Sequence, residues 1–270
     1  MNFATLRFPA VFLLLSTVFT FSLQAAPPVA TEDAPPAPVG PKARIHPALH
    51  LVGDSTMADK PLDPPNPERG WGQLFPTLLK EPARVVNHAV NGRSSKSFRD
   101  EGRWENVLSQ LAAGDYVLIE FGHNDQKSKD SKRYAAADTD FKENLRRFIR
   151  EARAKGAFPL LATPVNRRKF DDKGQLTDTH GAYPDATRAV AAEEKVPLID
   201  LHKLTRPLLE KLGPEDSKSL FVWVKPGEYA RHPKGQQDDT HFNETGALAV
   251  SGLVADELRA QKHPLAAWLK

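Results

Sequence analysis

Short apolar runs alternate with longer amphipathic stretches along most of this chain. Five runs read as buried strands, at residues 49–52, 85–90, 116–121, 158–162 and 196–199. They are too short for helices and nearly free of polar interruption, as strands covered on both faces are. Between them apolar residues recur at three- and four-residue spacing. Trp71, Leu74, Phe75 and Leu78 mark a helix over 70–80, and Trp104, Val107, Leu108 and Leu111 one over 100–111. The clearest covers 139–155, burying Phe141, Leu145, Phe148, Ile149 and Ala152 and stopping at Gly156. Further helices are predicted over 183–194, over 201–212 and from Asn243, where Ala247, Val250, Val254 and Leu258 form one stripe. Residues 214–240 show no single period and read as irregular. Strands separated by helices imply an α/β fold, a parallel sheet with helical layers on both faces.

That order places the chemistry. Gly53-Asp54-Ser55 follows the first strand, Asn91-Gly92 the second and Gly122-His123-Asn124 the third. In a parallel sheet all three lie at the C-terminal edge, where open α/β sheets bind ligands. Ser55, just past a tight turn, is a candidate nucleophile if a base and oxyanion donors lie nearby. Its bland alternative is a turn that caps a helix. Gly92 can present a bare backbone N–H, and Asn124 an amide; with the Ser55 N–H they make three donors. Among nine histidines, His241 stands out in Asp238-Asp239-Thr240-His241, just before the last helix. Asp238, three residues upstream, can reach its Nδ1 and leave Nε2 for Ser55. The competing interpretation is a helix start preceded by solvated acids. His123 reads as a structural loop residue, and His50 and His88 as satisfied residues of the sheet. For His180, His202, His232 and His263 no partner is legible, and no His/Asp spacing suggests a metal.

Composition narrows the class. The chain has 270 residues and no cysteine, which removes disulfides, thiolate metal sites and cysteine nucleophiles from consideration. A formal charge of +3, dispersed along the chain, does not argue for a nucleic-acid partner. Residues 1–25 look like a secretory signal: Arg7 is followed by an apolar stretch to Leu23, with Ala25 and Ala26 for cleavage. The stretch falls short of the about 20 apolar residues that span a bilayer, so cleavage is expected rather than anchoring. Residues 26–45 are a Pro/Ala spacer, and the folded domain is expected over 46–270. The predicted location is outside the cytoplasm, periplasmic or extracellular, with no membrane attachment after cleavage.

Four blocks in order carry a resemblance: Gly53-Asp54-Ser55-Thr56, Asn91 to Phe98, Gly122-His123-Asn124-Asp125, and Asp238-x-x-His241. They resemble the SGNH (GDSL) hydrolase superfamily over about residues 49–258. Within it the chain is most similar to rhamnogalacturonan acetylesterases, through Gly53 to Ala58, Gly70-Trp71-Gly72, Glu101 to Trp104 and Gly114 to Val117. The resemblance implies a three-layer, flavodoxin-like α/β/α fold with a five-stranded parallel sheet. It also implies Ser55, Asp238 and His241 as the catalytic triad, and Ser55, Gly92 and Asn124 as the oxyanion hole. No cofactor and no metal is called for.

The expected activity is therefore an exported serine esterase that removes O-acetyl groups from polysaccharide, most of all from rhamnogalacturonan regions of pectin. Arg93, Lys96, Lys225 and Arg231 are candidates to meet uronate carboxylates. Rivals are an acetylesterase for another glycan such as xylan, a short-chain lipase or thioesterase, and a non-catalytic carbohydrate-binding protein. Polar loops speak against an apolar acyl channel, and possession of all four blocks against a non-catalytic relic. A nucleotide binder would need a Gly-rich phosphate loop, which is missing.

Overall fold

The computed structural model describes residues 46–80 and 84–270. The signal-like segment and the Pro/Ala spacer expected over 1–45 lie outside the described residues. Strands β1 (Ala48–Gly53), β2 (Arg84–Asn87), β3 (Tyr116–Glu120), β4 (Phe158–Ala162) and β5 (Leu198–Ile199) form a parallel sheet in the order β2-β1-β3-β4-β5. All five expected strands are present. Side chains alternate across it as strand geometry requires. Leu49, Leu51, Leu118 and Leu160 face a layer made by α1 (Trp71–Leu74), α6 (Leu201–Asp216) and α7 (Glu244–Ala260). Val52, Val117, Ile119 and Leu161 face the opposite layer. There α2 (Ser95–Asp100), α3 (Arg103–Gln110), α4 (Lys142–Ala154) and α5 (Tyr183–Glu193) contribute Phe98, Trp104, Phe148 and Val190. Each such side chain, fully buried, stabilises the fold by about 1.5–3 kcal/mol.

The strand order reverses between β1 and β3, and in sheets of this order ligands bind at that switch point, beyond the C-terminal strand ends. The loops after β1 and β3 meet there. Gly53 ends β1 where a Cβ would come within 2.9 Å of the Glu120 carbonyl, so only glycine lets the strands close up.

Four elements differ from the expectation. The helix at 70–80 is a single α turn followed by a 3₁₀ turn at Phe75–Leu78, because Pro76 cannot continue an α ladder. The helix expected over 100–111 is the shorter α3, and a separate helix, α2, precedes it: Ser94 and Ser97 cap α2 reciprocally, and Gly102 at φ 70° turns the chain into α3. The helix at 139–155 begins as a π turn at Ala137–Phe141. Residues 214–240 are irregular only in part: β6 (Phe221–Val224) and β7 (Gln236–Phe242) form an antiparallel hairpin beside α7, joined by an irregular loop over 225–235.

Candidate active site

Ser55 lies in the turn that leaves β1 and is 8 % exposed. The turn is built from its own side chains. The Asp54 carboxylate accepts the Thr56 N–H and hydroxyl, both at 3.0 Å, and the Met57 and Ala58 N–H groups bond back to the Asp54 carbonyl. Burial pushes the Asp54 carboxyl up, but the adjoining His123 and the two Thr56 bonds outweigh it and hold it below its usual value. Beneath lies Glu120, fully buried, accepting the Trp71 indole N–H at 2.7 Å. Burial and the Asp54 charge push Glu120 up to about 8. It therefore holds a proton at neutral pH, and two adjacent buried carboxyls carry one negative charge.

His241 and Asp238 reach the same spot from β7. His241 Nε2 stands 2.8 Å from Ser55 Oγ, and its Nδ1 stands 2.8 Å from Asp238 Oδ2. The other oxygen of Asp238 accepts the N–H groups of Thr240 and His241, which locks the carboxylate in place. Burial acts to lower His241, yet the Asp238 bond and charge outweigh it, with help from Glu68 and opposition from Lys60, and raise it above its usual value. Burial acts to raise Asp238, but its bonds to His241 and Thr240 hold it below the usual carboxylate range. The neighbouring Asp239 turns away. It accepts Arg168 Nε at 2.8 Å and the Trp223 indole N–H at 3.0 Å, tying the hairpin to the loop after β4.

Gly92 follows Asn91 in the loop after β2, with φ 75°. Asn124, in the loop after β3, donates to the Arg93 carbonyl at 2.9 Å and accepts Lys127 Nζ at 2.8 Å. Those bonds orient its amide and leave the second N–H without a protein acceptor among the described residues. The Asn124 loop is anchored by Asp125, fully buried, which accepts the Ser95 N–H and hydroxyl and the Gly122 N–H. Burial pushes Asp125 up to about 7.

Sequence reasoning missed several groups. His123 does not hydrogen-bond backbone through its ring; Nδ1 contacts Asp54 at 3.4 Å without good alignment, and the ring sits edge-on to His180. Where no metal-like spacing was visible, Asp178, His180 and His202 bring donor atoms within 4.8 Å of one another. Arg167 lies 3.5 Å from His180 Nε2, so a cation there would face a guanidinium. His50 pairs with His88 and Asp115, as a satisfied residue of the sheet should. Arg93 and Lys96 are not free for a carboxylate ligand, being paired with Glu101 and Asp100. Lys127, Arg133 and Arg167 instead gather around Asn124 and Gly92, close enough for their charges to repel. Nothing in their spacing, across two loops, marks them as neighbours. Lys60, which carries no local mark in the sequence, buries its ammonium beside Ser55.

Residues 51–249 match the model of the GDSL-like lipase/acylhydrolase family. The chain is 46% identical over 217 residues to the rhamnogalacturonan acetylesterase RhgT of Bacillus subtilis, covering 80% of this chain and 91% of that one. It is 42% identical over 225 residues to a rhamnogalacturonan acetylesterase of Emericella nidulans, covering 75% and 81%. The crystal structure of the Bacillus subtilis protein YxiM superposes with a TM-score of 0.69 at 30% identity, over 81% of this chain and 58% of that one.

Proposed function

This chain belongs to the GDSL-like lipase/acylhydrolase family, and from that premise we propose that it is a carbohydrate O-acetylesterase acting on acetylated rhamnogalacturonan. The observation that carries the chemistry is the unbroken line from Ser55 Oγ through His241 to Asp238, with 2.8 Å at both steps. In the proposed reaction His241 Nε2 takes the Ser55 proton as Oγ bonds to the acetyl carbonyl carbon. The N–H groups of Ser55 and Gly92 and the Asn124 amide stabilise the resulting oxyanion. The intermediate collapses by breaking the bond to the sugar oxygen, which leaves with the proton from His241. Water then attacks the acetyl-serine, gives its proton to His241, and acetate departs as Ser55 is regenerated. Asp238 keeps the imidazole in the tautomer with its proton on Nδ1 and stabilises the imidazolium that forms.

Two of the relatives above support the substrate by their own names. Physical support comes from the cations beside the oxyanion position. Lys127 and Arg167 have no carboxylate within ion-pair distance among the described residues, whereas Arg133 is paired with Asp130 at 2.6 Å. A uronate in the substrate chain would supply the missing anion, and guanidinium groups suit carboxylates. The test is acetate release from acetylated rhamnogalacturonan, acetylxylan and a short-chain aryl acetate at low and high salt. Preference for the uronate polymer, weakening as salt rises, supports the proposal. Equal rates on xylan, or faster cleavage of long acyl chains, would overturn the substrate while leaving the serine chemistry intact.

The same proposal includes export, on the strength of the leader-like residues 1–25. No helix among the described residues is long and apolar enough to cross a membrane. Mass spectrometry of the secreted protein should find an N-terminus near Ala26; an intact leader in the membrane fraction would argue for an anchor.

A further inference from the structure

A lysine is an expensive residue to bury, because its ammonium loses hydration that only several good partners replace. Lys60 is 3 % exposed and sits in the loop after β1, outside the four sequence blocks. Its Nζ donates to the Ser55 carbonyl at 2.7 Å and to Asn91 Oδ1 at 2.5 Å, and pairs with Glu68 Oε1 at 2.7 Å. These partners come from three segments. Ser55 is the nucleophile, Asn91 immediately precedes the oxyanion glycine, and Glu68 bridges to Asn243 at the end of the strand that carries His241. The Arg69 N–H also bonds to the Phe242 carbonyl, so the Glu68 segment is stitched to β7. The lysine itself is held in register by Gln73, whose side-chain amide bonds both its N–H and its C=O.

Resting on the serine mechanism proposed above, we infer that Lys60 and Glu68 are positioning residues that lock the nucleophile turn, the oxyanion loop and the base strand into one geometry. Lys60 fixes the peptide that follows Ser55, and thereby the backbone torsion that aims Oγ at His241. Through Asn91 the same ammonium sets where the Gly92 N–H points. Three contacts on one cation are a rigid arrangement: moving any one segment breaks a charge-assisted bond in a buried site.

The pair also acts on the base by charge. The groups facing His241 are Asp238, Glu68, Lys60 and His123. Glu68 favours the imidazolium and Lys60 opposes it, so removing one or the other should move the base in opposite directions. Removing Lys60 leaves Glu68 uncompensated, and removing Glu68 leaves Lys60 uncompensated; each secondary effect has the same sign as the first. Ester turnover requires neutral His241, so the acidic limb of kcat/KM follows this group.

The experiment compares Lys60→Met, Glu68→Gln and wild type in kcat, KM, the pH profile of kcat/KM on an aryl acetate, and thermal unfolding. Lys60→Met is expected to lower kcat on the order of 10- to 100-fold with little change in KM. Its acidic limb should move to higher pH, because the charge that opposes the imidazolium is gone. In Glu68→Gln the limb should move down instead. A purely structural role would lower Tm and the amount of active enzyme but leave both limbs in place, and that result overturns the inference. So would wild-type kcat in Lys60→Met. If Lys60→Met does not fold, Glu68→Gln decides the question, since Glu68 is the more exposed partner. Failure of the underlying mechanism looks different: Ser55→Ala would then keep its turnover, whatever the limbs do.

Discussion

The proposed nucleophile and its base are held by very different parts of the molecule. Ser55 sits in the turn leaving β1 of a five-stranded sheet, over a buried layer of Asp54, Thr56, Glu120 and Trp71. His241 and Asp238 sit on a two-stranded hairpin, half-buried, where β7 reads Gln-Gln-Asp-Asp-Thr-His-Phe with scarcely an apolar residue. A lone hairpin is marginal in water. This one buries Phe221, Val222 and Phe242 at one end, and the end that carries Asp238 and His241 is held by polar anchors: Arg168 on Asp239, the Asp239 bond to Trp223 of β6, the Arg168 and Lys218 cations over the Trp223 ring, and the Glu68 bridge. The comparison teaches that the serine is positioned wholly over the core, whereas the base, beyond the one core anchor at Phe242, is positioned by polar contacts that can be cut one at a time.

The largest expected effects come from the two ends of the line themselves. Ser55→Ala and His241→Ala should each lower turnover on the order of 10⁴-fold or more while leaving thermal unfolding close to wild type. Acetate release at a comparable rate from either variant would break the comparison outright, because neither end would then be the chemistry. Next in size is the choice between adjacent carboxylates. Asp238→Asn should cost on the order of 10²- to 10⁴-fold in kcat and shift the acidic limb to lower pH, since the raised His241 loses the charge that raises it. Asp239→Asn should cost far less, in step with a lower Tm. If Asp239→Asn proves the more damaging in kcat, the orienting carboxylate has been misassigned.

What could be read beforehand follows the same division. The five strands announce themselves as apolar runs because the sheet is covered on both faces, and their punctuating Gly53, Gly92 and Gly122 mark the edge where ligands bind. The hairpin stayed hidden because its core residues, Phe221, Val222 and Phe242, sit at one end, while the rest of β7 is polar and shows no period; its outside anchors, Arg168 and Glu68, lie far off in sequence. Asp238 and His241 were nevertheless found, since their three-residue spacing survives a change from loop to strand: both atoms of contact lie within one turn of backbone. Lys60 and the Lys127, Arg133 and Arg167 cluster had no such local mark. Charged residues in loops read as solvated, and only the fold reveals that one is buried and that three converge.

Cutting the anchors sharpens the contrast. Arg168→Leu removes the Asp239 ion pair and the stacking over Trp223 together, and Trp223→Phe removes only the indole N–H bond and part of the ring. The expectation is a loss in kcat of about tenfold for the first and a few-fold for the second, with less change in Tm than a core truncation brings. Leu118→Ala on β3, by contrast, should lower Tm by removing about 2–5 kcal/mol of core packing while the folded fraction keeps near-normal kcat. An equal loss of kcat in Leu118→Ala at temperatures where it is folded would show that sheet and hairpin are not separable in this way.

Among the polar groups around the site, only a small effect on turnover is expected at Glu120, although it lies almost beneath the nucleophile. Its carboxyl is pushed up to about 8, so at neutral pH it is already uncharged and accepts the Trp71 indole N–H while Thr56 lies 3.4 Å from its other oxygen. Glu120→Gln keeps the size and the neutral state, and an amide can accept from Trp71 through its oxygen. The cost falls on the other side, where the Val165 N–H, 3.3 Å away, would meet an N–H₂ instead of an oxygen. Kcat at neutral pH should therefore change only a few-fold, with a loss of about 1–3 kcal/mol in stability from the mispaired donor. The pH dependence runs the other way. A buried carboxyl whose pKa is raised makes the folded state bind the extra proton, so wild-type stability declines as pH climbs from the ordinary carboxylate range through about 8. The amide introduced by Glu120→Gln has no such proton to lose. Unfolding midpoints followed from about pH 5 to about pH 9, a span that brackets the shifted carboxyl, should therefore fall less steeply in the variant. Parallel curves for wild type and Glu120→Gln would mean that the charge shared beneath Ser55 does not rest on a protonated Glu120, and that the nucleophile turn is held by Asp54 and Thr56 alone.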